Sequence, residues 1–242
     1  MPSYHGSTLI TDIRHGTTLI DEVRKGTILV WTRSTKRDDF NRADAATLGS
    51  NWTDLGPSSD WKLGVTNGQA RVQIPDGLLG GFWDIRTSMA RYNAATASAD
   101  DGYVEVRAAS NGDPFSVVSG AAGFVTDIFG RGYNSASSQA TTNGIGIRMI
   151  SGHCWIVRML TGTPVTQGDG GTFQAGDRLR LTYVGNLHTL TVNGVQRVQW
   201  NDSGATASKG SNYRSLIVRG QGGKDLLGPR RFSPGIDYVL MG

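Results

Sequence analysis

Through most of the chain apolar residues recur at every second position, the period of a half-buried strand. The stretch DRLRLTYVGNLHTLTVNGVQRVQW (177–200) is the clearest. Leu179, Leu181 and Tyr183 alternate with polar residues, Gly185-Asn186 turns the chain, and His188, Leu190 and Val192 follow before Asn193-Gly194 turns it again. Asn-Gly between alternating runs is a strong hairpin signal. The same pattern puts Ala70, Val72 and Ile74 on one face after Asn67-Gly68, and it turns a further hairpin at Ser151-Gly152. In DGYVEVRA it sends Val104 and Val106 inward, with Glu105 and Arg107 outward. A last strand is expected in GIDYVLMG (235–242). Turn signals at spacings of about eight to twelve residues predict an all-β sandwich or barrel. Only AATLGSNW (45–52) suggests a single helical turn.

The first residues follow a different rule. Gly6, Gly16 and Gly26 open three near-copies of one phrase, in which Leu9, Leu19 and Leu29 align, as do Ile13 with Val23 and Arg14 with Arg24. This predicts three short strands with turns near His15-Gly16 and Lys25-Gly26. Each strand would carry apolar residues on both faces. Three such strands are marginal alone in water, so the segment either lies against the main domain or pairs with other copies of the chain, and the second, which buries both faces and protects the edges, is the expectation. Leu9, Ile13, Leu19, Val23, Leu29 and Trp31 are the expected oligomerisation residues. The boundaries drawn are 1–36 for the repeat and 37–242 for the sandwich.

Composition narrows the picture further. A chain of 242 residues with 34 glycines and only 18% charged residues fits a turn-rich β-protein. Cys154 is the single cysteine, so no intrachain disulfide can form. The N-terminal residues lack the pattern of a signal peptide, and no apolar run approaches the ~20 residues of a membrane-spanning helix. The net charge of +4 is spread along the strands without a Lys/Arg cluster, so neither nucleic-acid binding nor membrane insertion is expected.

Two motifs carry a resemblance. DDFNRADAATLGSNWT (38–53) resembles the opening of a sugar-binding-type sandwich in minor tail proteins of actinobacterial phages, and GDRLRLTYVGNLHTLTVNGV (176–195) resembles the central meander of concanavalin A-like, laminin-G-type jelly rolls. The repeat is similar to G-S-T phrases of the same tail proteins. The resemblance implies a concanavalin A-like jelly-roll β-sandwich whose first strand, near Asp39 and Phe40, pairs with its last. It implies a virion location at the phage tail tip, other tail proteins and a homotrimer as partners, and a host cell-envelope polysaccharide as ligand.

The residues say less about chemistry. Retaining glycoside hydrolysis needs two carboxylates about 5–5.5 Å apart, which jelly-roll hydrolases place as E-x-D-x-x-E or E-x-D-x-E on one strand. Glu22 and Glu105 are the only glutamates here, so no enzyme activity is expected. His5, His15, His153 and His188 are scattered, which disfavours zinc. No cofactor is expected; Asp127, Asp169 and Asp202 are candidates for calcium only in principle. Cys154 reads as a small buried hydrophobe. For a sugar, the expected contacts are Arg131, Tyr133 and Asn134 on a long loop from 130 to 143, with a second loop at 220–231. Trp61, Trp83, Trp155 and Trp200 are available as platforms, although tryptophan is more often core.

Overall fold

The computed structural model describes residues 36–74, 85–114, 123–224 and 230–242 fully, and for residues 1–35 only the backbone of short strands. The chain divides into two compact units, Met1–Thr35 and Lys36–Gly242.

In the first unit the repeat forms hairpins rather than single strands. β1 (Tyr4–His5) pairs with β2 (Thr8–Leu9), β3 (Ile13–His15) with β4 (Thr18–Ile20), and β5 (Glu22–Lys25) with β6 (Ile28–Thr32), all antiparallel. The closing pairs are His5 with Thr8, His15 with Thr18 and Lys25 with Ile28. The expectation of three short strands is corrected: six strands pair as three hairpins. Leu9, Ile13, Leu19, Val23, Leu29 and Trp31 all fall on these strands, but their side chains, and with them the oligomerisation expectation, lie outside the described residues.

The second unit is a sandwich of two antiparallel sheets. The first contains β7 (Lys36–Asp38), β9 (Leu63–Thr66), β10 (Gln69–Val72), β12 (Gly102–Ala108), β17 (Arg178–Val184), β18 (Leu187–Val192), β19 (Val195–Asn201) and β22 (Ile236–Met241). Its order is β19-β18-β17-β12-β22-β10-β9, with β7 also on β22. The second contains β8 (Trp52–Pro57), β11 (Ile85–Tyr92), β13 (Val125–Tyr133), β14 (Gly144–Ile150), β15 (His153–Leu160), β16 (Thr163–Thr172), β20 (Tyr213–Lys224) and β21 (Arg230–Phe232). Its order is β16-β15-β14-β13-β20-β11-β8, with β21 on β20.

Alternation decides what lies between the sheets. Val104, Val106, Leu179, Leu181, Leu190 and Val192 from the first meet Ile128, Ile145, Ile147, Ile156 and Val218 from the second. The expected turns are present: Asn67-Gly68, Ser151-Gly152 and Asn193-Gly194 all have positive φ at both residues, as the tight right-twisted hairpin requires. The helical turn expected at 45–52 is absent, and that stretch instead bends around a bridge from Ala45 to Val65. Among the described residues the only helix is the 3₁₀ turn Gln139–Thr141.

The first strand pairs with the last: Asp38 with Val239, Arg37 with Leu240. The 38–53 motif explains how that strand is clasped. The buried Asp38 carboxylate accepts hydrogen bonds from Arg42 at 2.7 and 3.1 Å, from the Trp52 indole at 2.7 Å and from the Phe40 amide at 2.9 Å. Arg42 also donates to the Leu48 carbonyl at 2.8 Å. Burial alone would raise the pKa of Asp38, but the Arg42 and Trp52 hydrogen bonds outweigh it and hold the carboxyl below its ordinary range. Phe40 and Trp52 fill the core beside Tyr92. Aspartate, phenylalanine, arginine and tryptophan in this motif are therefore structural.

His188 is the least comfortable core residue. It is fully buried, stacks on Trp200 at 5.1 Å, and neither ring nitrogen has a hydrogen-bond partner among the described residues. Burial, then the positive charges of Arg131 and Lys209, push its pKa down to about 4 against a partial opposing pull from Asp202. The unfolded chain then binds the proton more tightly, so stability falls as pH drops from about 6.5 towards 4. Denaturant midpoints at pH 7, 5.5 and 4 should show a loss on the order of 3 kcal/mol from this group. In His188→Leu that part of the slope should vanish; an unchanged slope would contradict the assignment.

Candidate functional site

The central strand of the second sheet, β13, sends Thr126 and Ile128 inward and Val125, Asp127 and Phe129 outward, since Ile128 joins the inter-sheet core. Asp127 is fully buried. Its carboxylate accepts two hydrogen bonds from Arg148, at 2.8 and 2.9 Å, and one from Arg219 at 2.9 Å. Register makes this a cross-strand row: Asp127 stands opposite both Arg148 and Arg219, Arg148 opposite Trp155, and Arg219 opposite Met89. Burial works against the charge on Arg148, yet the Asp127 carboxylate holds its pKa above the ordinary value.

The two ends of the row differ. At the Met89 end, Leu55, Met89, Phe129, Ala136, Val157, Met159 and Ile217 form a second small core on the outer face. The segment after β13 folds back to cover it, and the Thr142 hydroxyl donates to the Met89 sulfur at 3.4 Å. At the other end Trp155 is partly exposed and stacks on His153 at 4.4 Å with 29° between planes. His153 Nε2 lies 2.6 Å from Asp169 Oδ1, and the Gly171 amide donates to the same oxygen at 2.8 Å. These contacts hold the exposed Asp169 carboxyl below its usual range. An aromatic surface fixed beside a guanidinium, an imidazole and a carboxylate suits a ligand that presents both C–H and hydroxyl faces.

The expected sugar contacts are placed otherwise. Arg131 and Tyr133 belong to β13, not to a long loop. A register shift after Phe129, with φ of 47° at Arg131, turns that side chain inward. Its guanidinium lies 4.6 Å over the Tyr183 ring and donates to the carbonyls of Asp100 at 2.7 Å and Gly185 at 3.0 Å, leaving the residue only 3% exposed. Asn134 is spent on the Ser211 carbonyl at 2.7 Å and the Arg214 amide at 2.8 Å. Tyr133 stays half-buried against Tyr213, ring centres 5.5 Å apart. In the 220–231 segment, Gly220–Lys224 continues β20, and 225–229 lie outside the described residues.

The remaining candidates are also engaged. Glu105 does point away from the core, as its alternation says, but it is 3% exposed because Arg180 and the Tyr238 hydroxyl cover it at 2.6 and 2.8 Å. Asp202 caps its own loop through Thr206 and Ala207 at 2.7 and 2.6 Å. Asp127, Asp169 and Asp202 thus sit in separate internal contacts, and no group of three His, Cys, Asp or Glu residues suited to a metal occurs among the described residues. Cys154 is buried, and burial pushes its thiol up to about 12. Trp61 is core, Trp200 packs on His188, and Trp83 lies outside the described residues. Trp155 was legible as outward-facing, because Cys154 and Ile156 on either side must point inward, and the Ser151-Gly152 hairpin sets Arg148 opposite it; Arg219, which meets Asp127 from 92 positions away, was not.

No protein-family model matches the chain, and no curated protein matches it in sequence. Solved structures do match. A β-1,3-1,4-glucanase (lichenase) derived from a mouse hindgut metagenome is 12% identical, covering 86% of this chain and 98% of that one at a TM-score of 0.54. LamAcat from Zobellia galactanivorans is 11% identical, covering 85% and 96%, at 0.51. A protein with a galectin-like fold from Bacillus subtilis is 10% identical, covering 85% and 94%, at 0.51. The class is therefore set: residues 36–242 form a jelly-roll β-sandwich of the concanavalin A-like kind.

Removing the carboxylate in Asp127→Ala leaves two facing guanidinium groups without their anion. We expect a loss of about 3–5 kcal/mol in denaturant unfolding. A change below about 1 kcal/mol would show that the row is not a buried ion cluster.

Proposed function

We propose that the chain is a non-catalytic glycan-recognition protein whose sugar contact is the Trp155 end of the outer face of the second sheet. The observation that carries this reading is the fixed aromatic surface of Trp155, braced by His153 and flanked by Arg148 and Asp169. Sugars rest on such surfaces through their C–H faces, while planar charged groups take the hydroxyls. Fold likeness to glycan-acting proteins agrees with it but does not carry it.

Against catalysis stands the outward sequence of the central strand. An E-x-D-x-E pattern would need acids at 125 and 129, where this chain has Val125 and Phe129. Asp127 alone remains, and two arginines neutralise it. Both of its oxygens are already occupied by hydrogen bonds from Arg148 and Arg219, and no second carboxylate stands on the same face of the strand.

The finer placement, a minor tail protein at the tip of an actinobacterial phage tail, rests on the 38–53 motif and the N-terminal repeat. In that setting the hairpins of residues 1–36 join three copies of the chain, with other tail proteins as neighbours. Three weak sites on one particle then bind a host-envelope polysaccharide by avidity. A purely structural assembly module is the second reading, favoured by the fact that Asp38, Arg42, Asp44 and Trp52 of the 38–53 motif are engaged in contacts within the fold.

Glycan-array binding followed by titration of the best glycan tests the first reading. Trp155→Ala should weaken binding at least tenfold, about 1.4 kcal/mol, with the fold intact. No glycan binding by the full oligomer would leave the assembly module, and reducing-end release from envelope polysaccharide would establish an enzyme instead. Replacing Leu9, Leu19 and Leu29 together with Asp should abolish the oligomer in sedimentation while residues 37–242 melt normally. An oligomer that survives would remove the role given to the repeat.

A further inference from the structure

The outer face of the first sheet has a different character. Outward positions on β12, β17 and β22 bring together Tyr103, Glu105, Arg107, Arg178, Arg180 and Tyr238. Arg37 from β7 stacks over the Tyr238 ring at 4.1 Å, and Arg180 over the Tyr103 ring at 4.1 Å. Four guanidinium groups thus meet two carboxylates, Glu105 and Asp237.

The register makes the imbalance sharp. Arg107 stands directly opposite Arg178. Like charges at directly opposed positions destabilise a sheet. Their side chains are 50% and 53% exposed. Glu105 cannot serve both neighbours: Arg180 takes it at 2.6 Å and Tyr238 at 2.8 Å, leaving Arg178 at 4.0 Å. Arg107 has the Gly176 carbonyl at 3.2 Å and Asp237 at 3.5 Å. An anion lying between Arg107 and Arg178 would relieve their repulsion.

We propose that this face is a second binding surface, for an acidic polysaccharide bearing carboxylates or phosphodiesters. Arginine rather than lysine suits it, because the planar fork engages carboxylate and phosphate bidentately. Thr182, Thr189 and Gln199 continue the same face and supply hydroxyl and amide groups for the sugar hydroxyls. The face offers nucleic-acid bases nothing to stack on, since Arg180 and Arg37 already cover its two tyrosine rings. This surface lies on the opposite sheet from Trp155 and does not depend on the site proposed there.

The test uses the full chain, with polygalacturonate, poly(glycerol phosphate), neutral dextran and oligothymidylate as probes. At least one acidic glycopolymer should bind and dextran should not; which one binds identifies the anion. The double variant Arg107→Gln/Arg178→Gln should bind at least tenfold more weakly, and its salt dependence should flatten by about two charges. Its melting temperature should not fall, because the variant removes a repulsion, and Trp155→Ala should leave this binding unchanged. The proposal is overturned if neither acidic polymer binds, if dextran or oligothymidylate binds the Trp155→Ala variant as tightly, or if the double variant binds like the parent.

Discussion

Asp127 sets the terms for the middle of the second sheet. A carboxylate with no exposure must find positive partners, or its burial costs several kcal/mol. Arg148 and Arg219 come from the strands on either side, so meeting that demand also fixes the register of β14, β13 and β20. The same pairing seats Trp155 beside Arg148 and leaves Met89 under the small outer core. One end of the face becomes dry and closed, while the other keeps an aromatic edge open to solvent. Dry packing and solvent access are thus divided along a single cross-strand row.

Each sheet manages charge in its own way. On the second, one carboxylate and two guanidinium groups are buried together and well matched in geometry. On the first, Glu105 is covered but the arginines around it stay exposed, and charge is left over. The inner faces have little latitude, because both must fill one apolar core. The outer faces are where two jelly rolls with the same fold can differ, which is why likeness at 10–12% identity carries the architecture and not the ligand.

Much of this architecture was legible in the sequence. The alternation of Leu179, Leu181, His188 and Leu190, and the Asn-Gly turns, follow from local rules that one short window contains. Three features could not be read that way. Arg131 turns inward because of a bulge, and a bulge has no clear local signature. Glu105 is covered by Arg180 and Tyr238, residues 75 and 133 positions away. The repeat reads equally as single strands or as hairpins, because both share the ten-residue spacing of Gly6, Gly16 and Gly26. The outer face of the second sheet was only half legible: Arg148, His153, Trp155 and Asp169 lie on consecutive strands, but Arg219 reaches Asp127 from 92 positions away.

The central claim is that a glycan meets this protein at Trp155 and nowhere in its core. The most direct measurement follows the tryptophan indole N–H resonances during titration with the best-binding glycan. The account predicts that the Trp155 signal shifts in proportion to occupancy, while those of Trp52, Trp61 and Trp200 stay in place. A glycan that binds Arg107→Gln/Arg178→Gln as tightly as the parent yet leaves Trp155 unmoved, or one that moves the indoles of Trp52, Trp61 and Trp200 instead, would contradict it.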